Sequence, residues 1–111
     1  MVKSPSLDRT LSALSDATRR GILEQLATGP ATVSQLAGPW GLSLPGLLKH
    51  VRVLEGARLV TTEKRGRTRE CRLGPAQLHD VTDWIDTYRR GWERRLDRLE
   101  RYVQGQTGEE T

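Results

Sequence analysis

The feature that most limits how this chain can fold is its last stretch. From Leu78 onward, apolar or amphipathic side chains fall at positions 78, 81, 85, 88, 92, 96, 99 and 103, in steps of three and four that average near one helical turn. The spacing predicts a single helix from about Pro75 to Val103, roughly 40 Å long at 1.5 Å per residue. In a chain of 111 residues, that leaves room for one core and not for two. So long a helix overhangs so small a core, and Trp84, Tyr88, Trp92, Leu96 and Leu99 would stand in water on an isolated chain. A second copy, pairing helix to helix, is their natural cover. With 5% aromatics and no Phe, the chain has little else with which to enlarge its core. The reading is one domain over residues 6–103, with residues 1–5 and 104–111 as disordered ends.

The preceding segments are shorter and carry legible start and stop signals. Leu7, Leu11 and Leu14 recur at helical spacing, which predicts a first helix over residues 6–15. Asp16 is placed to cap a second, whose apolar face is Ile22, Leu23 and Leu26, whose outer side carries Arg19 and Arg20, and which Thr28-Gly29-Pro30 ends. Thr32 and Gln35 have the spacing of a capping box, in which hydroxyl and amide satisfy orphan backbone donors reciprocally, with Val33, Leu36 and Ala37 on the buried side. Gly38-Pro39-Trp40-Gly41 then forces a tight connection. Ser43 caps the next helix, and Pro45 sits in its first turn, where a missing N–H costs little. At 100° per residue, Leu47, Val51 and Leu54 share one side of that helix, while Pro45, Lys49, Arg52 and Gly56 share the other. Residues 59–63 and 68–73 read as the two strands of a hairpin, with Lys64-Arg65-Gly66-Arg67 at its tip and Gly66 supplying the positive φ.

Charge singles out part of this arrangement. Between Leu44 and Gly74, eight cations against three acids give +5, which leaves the remainder of a +4 chain at −1. A contiguous basic third suits a surface that meets phosphates. In order, the elements are helix, helix, short helix, tight turn, helix, basic hairpin and long helix. The fold class is mainly α with a small β-hairpin, a winged helix-turn-helix, in which the second helix of the motif enters the major groove of DNA and the hairpin reaches the neighbouring minor groove or backbone.

Three stretches, LSDATRRGILEQL, SLPGLLKHVRVLEGARLV and EKRGRTRECRL, resemble the ArsR/SmtB family of small bacterial winged-helix repressors over roughly residues 7–103. The resemblance implies a homodimer, paired through its first and last helices, that occupies a palindromic DNA operator and blocks transcription, often of its own operon. Its dimer interface would use Leu7, Leu11, Leu14, Trp84, Tyr88, Trp92, Leu96 and Leu99. Carried over by position, Ser43, Pro45, Gly46, Leu48, Lys49, His50 and Arg52 would line the recognition surface, and Lys64, Arg65, Arg67 and Arg69 the wing. The charge pattern agrees: Lys49 and Arg52 can bond a guanine edge or a phosphate oxygen, and wing arginines suit a narrow minor groove. His50, on the flank of its helix, reads equally as a base reader or as a packed histidine. Two positions depart from the family pattern. Leu48 stands where Ser or Thr is usual, and Arg58 fills the usual glycine slot, so either Arg58 takes a positive φ or the turn shifts to Gly56.

Other functions find less support in the residues. The family's cysteine metal motif would fall in the short helix before the turn, which here reads TVSQLA. On the last helix, His79, Asp80, Asp83 and Asp86 offer one imidazole among scattered carboxylates, a poor set for a borderline metal and more simply an acidic face near a helix N-terminus. The chain is therefore assigned to the branch without that metal site, and no cofactor is expected. The sequence has no phosphate-cradling glycine loop, no nucleophile with a paired base and no cluster suited to two-metal chemistry, so it does not read as an enzyme. It has no signal peptide and no span of apolar residues fit for a bilayer, so a cytoplasmic protein without a membrane partner is expected. Two alternatives stay open: a winged-helix scaffold that holds a protein partner, and a regulator that senses thiol chemistry or a small ligand through Cys71. The arginines between 89 and 101 alternate with acids in the pattern of solvated i, i+4 pairing.

Overall fold

The computed structural model describes residues 5–75 and 78–109. The predicted disordered residues 1–4, 110 and 111 lie outside the described residues, as do Ala76 and Gln77. The element order is α1 (Pro5–Leu14), α2 (Ala17–Leu26), β1 (Ala31–Thr32), α3 (Val33–Ala37), a 3₁₀ turn (Gly38–Trp40), α4 (Leu44–Gly56), β2 (Val60–Arg65), β3 (Thr68–Leu73) and α5 (His79–Glu109). Contacts divide the chain into two compact units, a body up to Asp80 and the long helix from Val81.

In the body, each predicted cap is formed. The Asp16 carboxylate accepts from the Arg19 amide at the start of α2. Thr32 and Gln35 close the capping box of α3, the Gln35 amide donating to the Thr32 hydroxyl at 3.2 Å and the Thr32 amide to Gln35 Oε1 at 2.9 Å. Ser43 accepts from the Gly46 amide at the start of α4. Gly41, with φ of 62°, ends the 3₁₀ turn and frees the chain to enter α4 in a new direction. Leu47, Val51 and Leu54 of α4 are fully buried together with Ile22, Leu36, Val60 and Cys71. Each such aliphatic side chain gains about 1.5–3 kcal/mol on burial. The three on α4 therefore outweigh the cost of about 1 kcal/mol for Gly46 in a helix.

Four details differ from the sequence reading. The sheet has three antiparallel strands in the order β1-β3-β2, and β1, two residues long, pairs Ala31 with Cys71 and Thr32 with Glu70. On α1 the fully inward residues are Thr10 and Ala13, with Leu7 and Leu14 half-buried and Leu11 exposed. Residue Pro5, read as part of a disordered end, opens α1. The last helix starts at His79 instead of near Pro75 and runs past Val103 to Glu109, so residues 104–109, read as part of a disordered end, are helical.

The α4–β2 corner decides between the two turn arrangements left open by Arg58. Gly56 stays helical, and Arg58 adopts φ of 62°, the one positive φ among described non-glycine residues. Its amide donates to Glu55 O and the Leu59 amide to Leu54 O, both at 2.9 Å. That pair of bonds is a Schellman closure, and Leu54 and Leu59, both buried, supply its apolar contact. Across the corner, the Gly74 amide donates to Leu59 O at 2.7 Å, and a Cβ at Gly74 would clash with Arg58 O, so the hairpin base closes on bare backbone. The penalty of about 1–2 kcal/mol for a Cβ-bearing residue in the left-handed region at Arg58 is offset in part by glycine's greater unfolded-state freedom. Arg58→Gly is therefore expected to raise unfolding stability by about 0.5–1 kcal/mol in urea titration; an unchanged or lowered midpoint would contradict the strain assigned to this residue.

Candidate nucleic-acid interface

With its apolar stripe buried, α4 turns Pro45, Lys49 and Arg52 to solvent. The hairpin projects from the same body, with only its base in the core: Val60 and Cys71 are buried while residues 63–69 are exposed. Gly66 leads the two-residue loop between paired Arg65 and Thr68 with φ of 61°, a conformation that glycine adopts without strain. The Thr68 hydroxyl donates to Arg65 O at 2.9 Å and tightens that tip.

The cations of this surface separate into two groups. The side chains of Lys49, Arg52, Lys64 and Arg67 are exposed and, among the described residues, make no hydrogen bond or ion pair; that of Arg58, at the α4–β2 corner, is likewise unpaired. Arg65, Arg69 and Arg72 are held within the hairpin. Arg65 pairs with Glu63 at 3.4 Å, and Arg72 bonds Glu70 at 2.7 Å. Arg69 donates to the Thr62 hydroxyl, which donates in turn to Glu55 Oε2, both at 2.8 Å. This chain of bonds ties the hairpin to the C-terminal part of α4, so helix and wing present their free cations from one frame. The sequence reading missed the role of Glu55 and Thr62; their separation of seven residues carries no local signal.

The predicted recognition residues do not all face outward. Ser43 is exposed but uses its hydroxyl oxygen as the helix cap. Gly46 is half-buried beside that hydroxyl. Leu48 is half-buried and packs against the core, whereas Leu44, which the sequence reading passed over, is 48% exposed in the first turn. His50 is half-buried, with Nδ1 3.3 Å from Arg19 Nη1 and 3.8 Å from Asp16 Oδ2. The contacts favour the packed reading of this histidine.

Arg19 and Arg20, expected on the outer side of α2, instead fold back on α1. Arg19 donates through Nε to Ala13 O at 2.7 Å and through Nη2 to Ser12 O at 3.1 Å, and Arg20 donates to Leu14 O at 2.7 Å. They satisfy carbonyls that the end of α1 leaves open, where a cation also suits the helix dipole. Asp16, holding the Arg19 amide and lying near His50 and the Arg19 guanidinium, has its carboxyl pKa lowered.

Cys71 is fully buried in β3, and burial, with the Glu55 charge second, pushes its thiol pKa up. Both effects work against a reactive thiolate. Among the described residues, no three His, Cys, Asp or Glu side chains gather where they could hold a metal ion, and no helix is long and apolar enough to cross a membrane.

A short helix, a tight turn and a second helix with unpaired cations on its outer face, followed by a cationic hairpin, define a winged helix-turn-helix DNA-binding protein. The comparisons with known proteins agree. The helix-turn-helix domain family matches residues 14–63. The chain is 40% identical over 91 residues to the HTH-type transcriptional regulator Rv2034 of Mycobacterium tuberculosis, across 82% of each chain. It is 28% identical over 79 residues to the transcriptional repressor SdpR of Bacillus subtilis, across 71% of this chain and 88% of that one. A solved ArsR family transcriptional regulator superposes with a TM-score of 0.77 at 38% identity, covering 84% of this chain and 97% of the other. The chain belongs to the ArsR family of winged helix-turn-helix transcriptional regulators.

The burial of Cys71 yields a direct check. In the native protein a thiol-specific reagent is expected to label it far more slowly than in denaturant; equally fast labelling would return the thiol-sensing alternative to consideration.

Proposed function

We propose that this DNA-binding regulator acts as a homodimeric repressor that occupies a palindromic operator, including one upstream of its own gene, and works in the cytoplasm. The observation that carries the DNA contact is the set of four unpaired cations on one frame, Lys49 and Arg52 from α4 and Lys64 and Arg67 from the hairpin tip. In the proposed complex, α4 lies in the major groove, where Lys49 and Arg52 meet base edges or phosphates, and the hairpin follows the adjacent backbone or minor groove. Ser43, Pro45, Gly46, Leu48, His50, Arg65 and Arg69 belong to the same surface mainly as residues that shape and steady it. The likeness to a relative named as a repressor supports the sign of the regulation.

Support for the pair comes from α5 taken by itself. Trp84, Ile85, Tyr88, Trp92, Leu96, Leu99, Tyr102 and Val103 are 45–65% exposed and fall along one side of the helix, with the Trp84 and Tyr88 rings stacked at 5.9 Å. So long an apolar stripe on an exposed helix marks an interface. The opposite side carries ion pairs from Arg89 to Asp86 and Glu93, the pattern of a solvated face. A second copy covers the stripe, with Leu7, Leu11 and Leu14 of α1 as further contacts. Two-fold pairing then sets the recognition helices about 34 Å apart, one turn of DNA.

Two variants separate the parts of this reading. Lys49→Ala with Arg52→Ala is expected to lower affinity for the chain's own upstream DNA about a hundredfold or more in gel shift, at two contacts worth roughly 1–3 kcal/mol each, while sedimentation still shows a dimer; unchanged binding would remove the proposed contact. Trp92→Asp, which places a charge in the stripe, is expected to yield a folded monomer that no longer shifts the DNA. A dimer of wild-type stability would contradict the assigned interface.

A further inference from the structure

The first turn of α4 lacks any side chain able to hydrogen-bond a base. Leu44 opens it, 48% exposed. Pro45 is exposed and has neither an N–H nor a polar side chain, and Gly46 has no side chain at all. The preceding Ser43 caps the helix by accepting from the Gly46 amide at 3.2 Å, and its O–H, which can still donate, lies before the first turn. Leu47 and Leu48 turn toward the core. Lys49 is thus the first residue of the helix with a polar group to offer.

In a helix-turn-helix it is the N-terminal residues of the recognition helix that reach base edges. An apolar leading edge there has one complementary feature in the major groove, the C5-methyl group of thymine. Set against guanine O6 and N7 or cytosine N4, Leu44 would strip water from a polar edge and return no hydrogen bond. Set against a thymine methyl, it covers apolar surface on both sides. Leu44 thus favours one base by contact and disfavours G·C pairs by exclusion, whereas Lys49 and Arg52 hold the phosphates or a guanine nearby.

We propose that Leu44, with Pro45 beside it, is a specificity-determining residue that reads a thymine methyl group in each half of the bound DNA. The inference rests on the reading of α4 as the recognition helix, and its test distinguishes the two. The full-length protein selects duplexes from a random DNA pool at about 0.15 M salt, a concentration that screens exposed charges beyond roughly 8 Å. The selected site is then resynthesised with each thymine replaced in turn by deoxyuridine, which lacks only the methyl group. At one thymine per half-site, the wild-type protein is expected to lose about fourfold in affinity, the worth of one buried methyl-sized group. Leu44→Ala, whose exposed position leaves folding intact, is expected to bind thymine and uracil versions of that site equally. A selected site at which no uracil weakens the wild type, or at which Leu44→Ala keeps the full uracil penalty, overturns this proposal and leaves the recognition helix standing. Failure to select any sequence overturns both.

Discussion

Everything on the proposed DNA-facing side of this protein depends on how α4 is rotated about its own axis, and that rotation is set by the burial of Leu47, Val51 and Leu54. Turning the helix by half a revolution would expose three aliphatic side chains and press Lys49 and Arg52 into a core built from Ile22, Leu36, Val60 and Cys71. Each of the three would forfeit about 1.5–3 kcal/mol, and each buried unpaired charge would cost several more. The same greasy stripe that gives the body its stability therefore aims the cations. At the other end, the Schellman closure through Arg58 and Leu59 passes this orientation into β2 without an intervening loop.

Polar contacts refine that frame. Arg19 joins the end of α1 to His50 of α4, while Glu55, Thr62 and Arg69 join α4 to the hairpin. Exposed contacts of this kind contribute little to stability singly, so their value lies in relative position. They also decide which cations are available. An arginine bonded to a neighbouring carboxylate has part of its field cancelled before DNA arrives, as Arg72 does beside Glu70. Lys49, Arg52, Lys64 and Arg67 keep theirs whole. A count of basic residues between Leu44 and Gly74 thus overstates the charge left unpaired on this surface, and the contacts identify where it is concentrated.

What could be read from the sequence was what local chemistry decides. Asp16, Thr32 with Gln35, and Ser43 announce helix starts because a cap needs only three or four consecutive residues. The stripe on α4 is legible because it repeats at helical period. The pairing of β1 was not, since two residues beside a helix cap have no alternation to detect. Nor were the turns of Arg19 toward α1 and His50 toward Asp16, which join residues brought close only by folding. Leu48 and Leu44 show the limit within one helix. A family pattern points to the former as a DNA contact, yet Leu44, at the helix end beyond the core, is the one left exposed. Arg58 shows the opposite case, because the sequence posed the right alternatives and only backbone geometry chose between them.

On α4 and the hairpin tip, folding leaves four cations per copy unpaired, eight in the proposed pair, to face one duplex. The most direct test is the salt dependence of binding to a selected DNA site, followed by fluorescence anisotropy across a range of potassium chloride concentrations. Eight neutralised phosphates predict that the logarithm of the association constant falls with the logarithm of salt at a slope of about −7. A slope shallower than about −3 would mean that most of these side chains release no counterions, and would contradict the assignment of this surface to DNA.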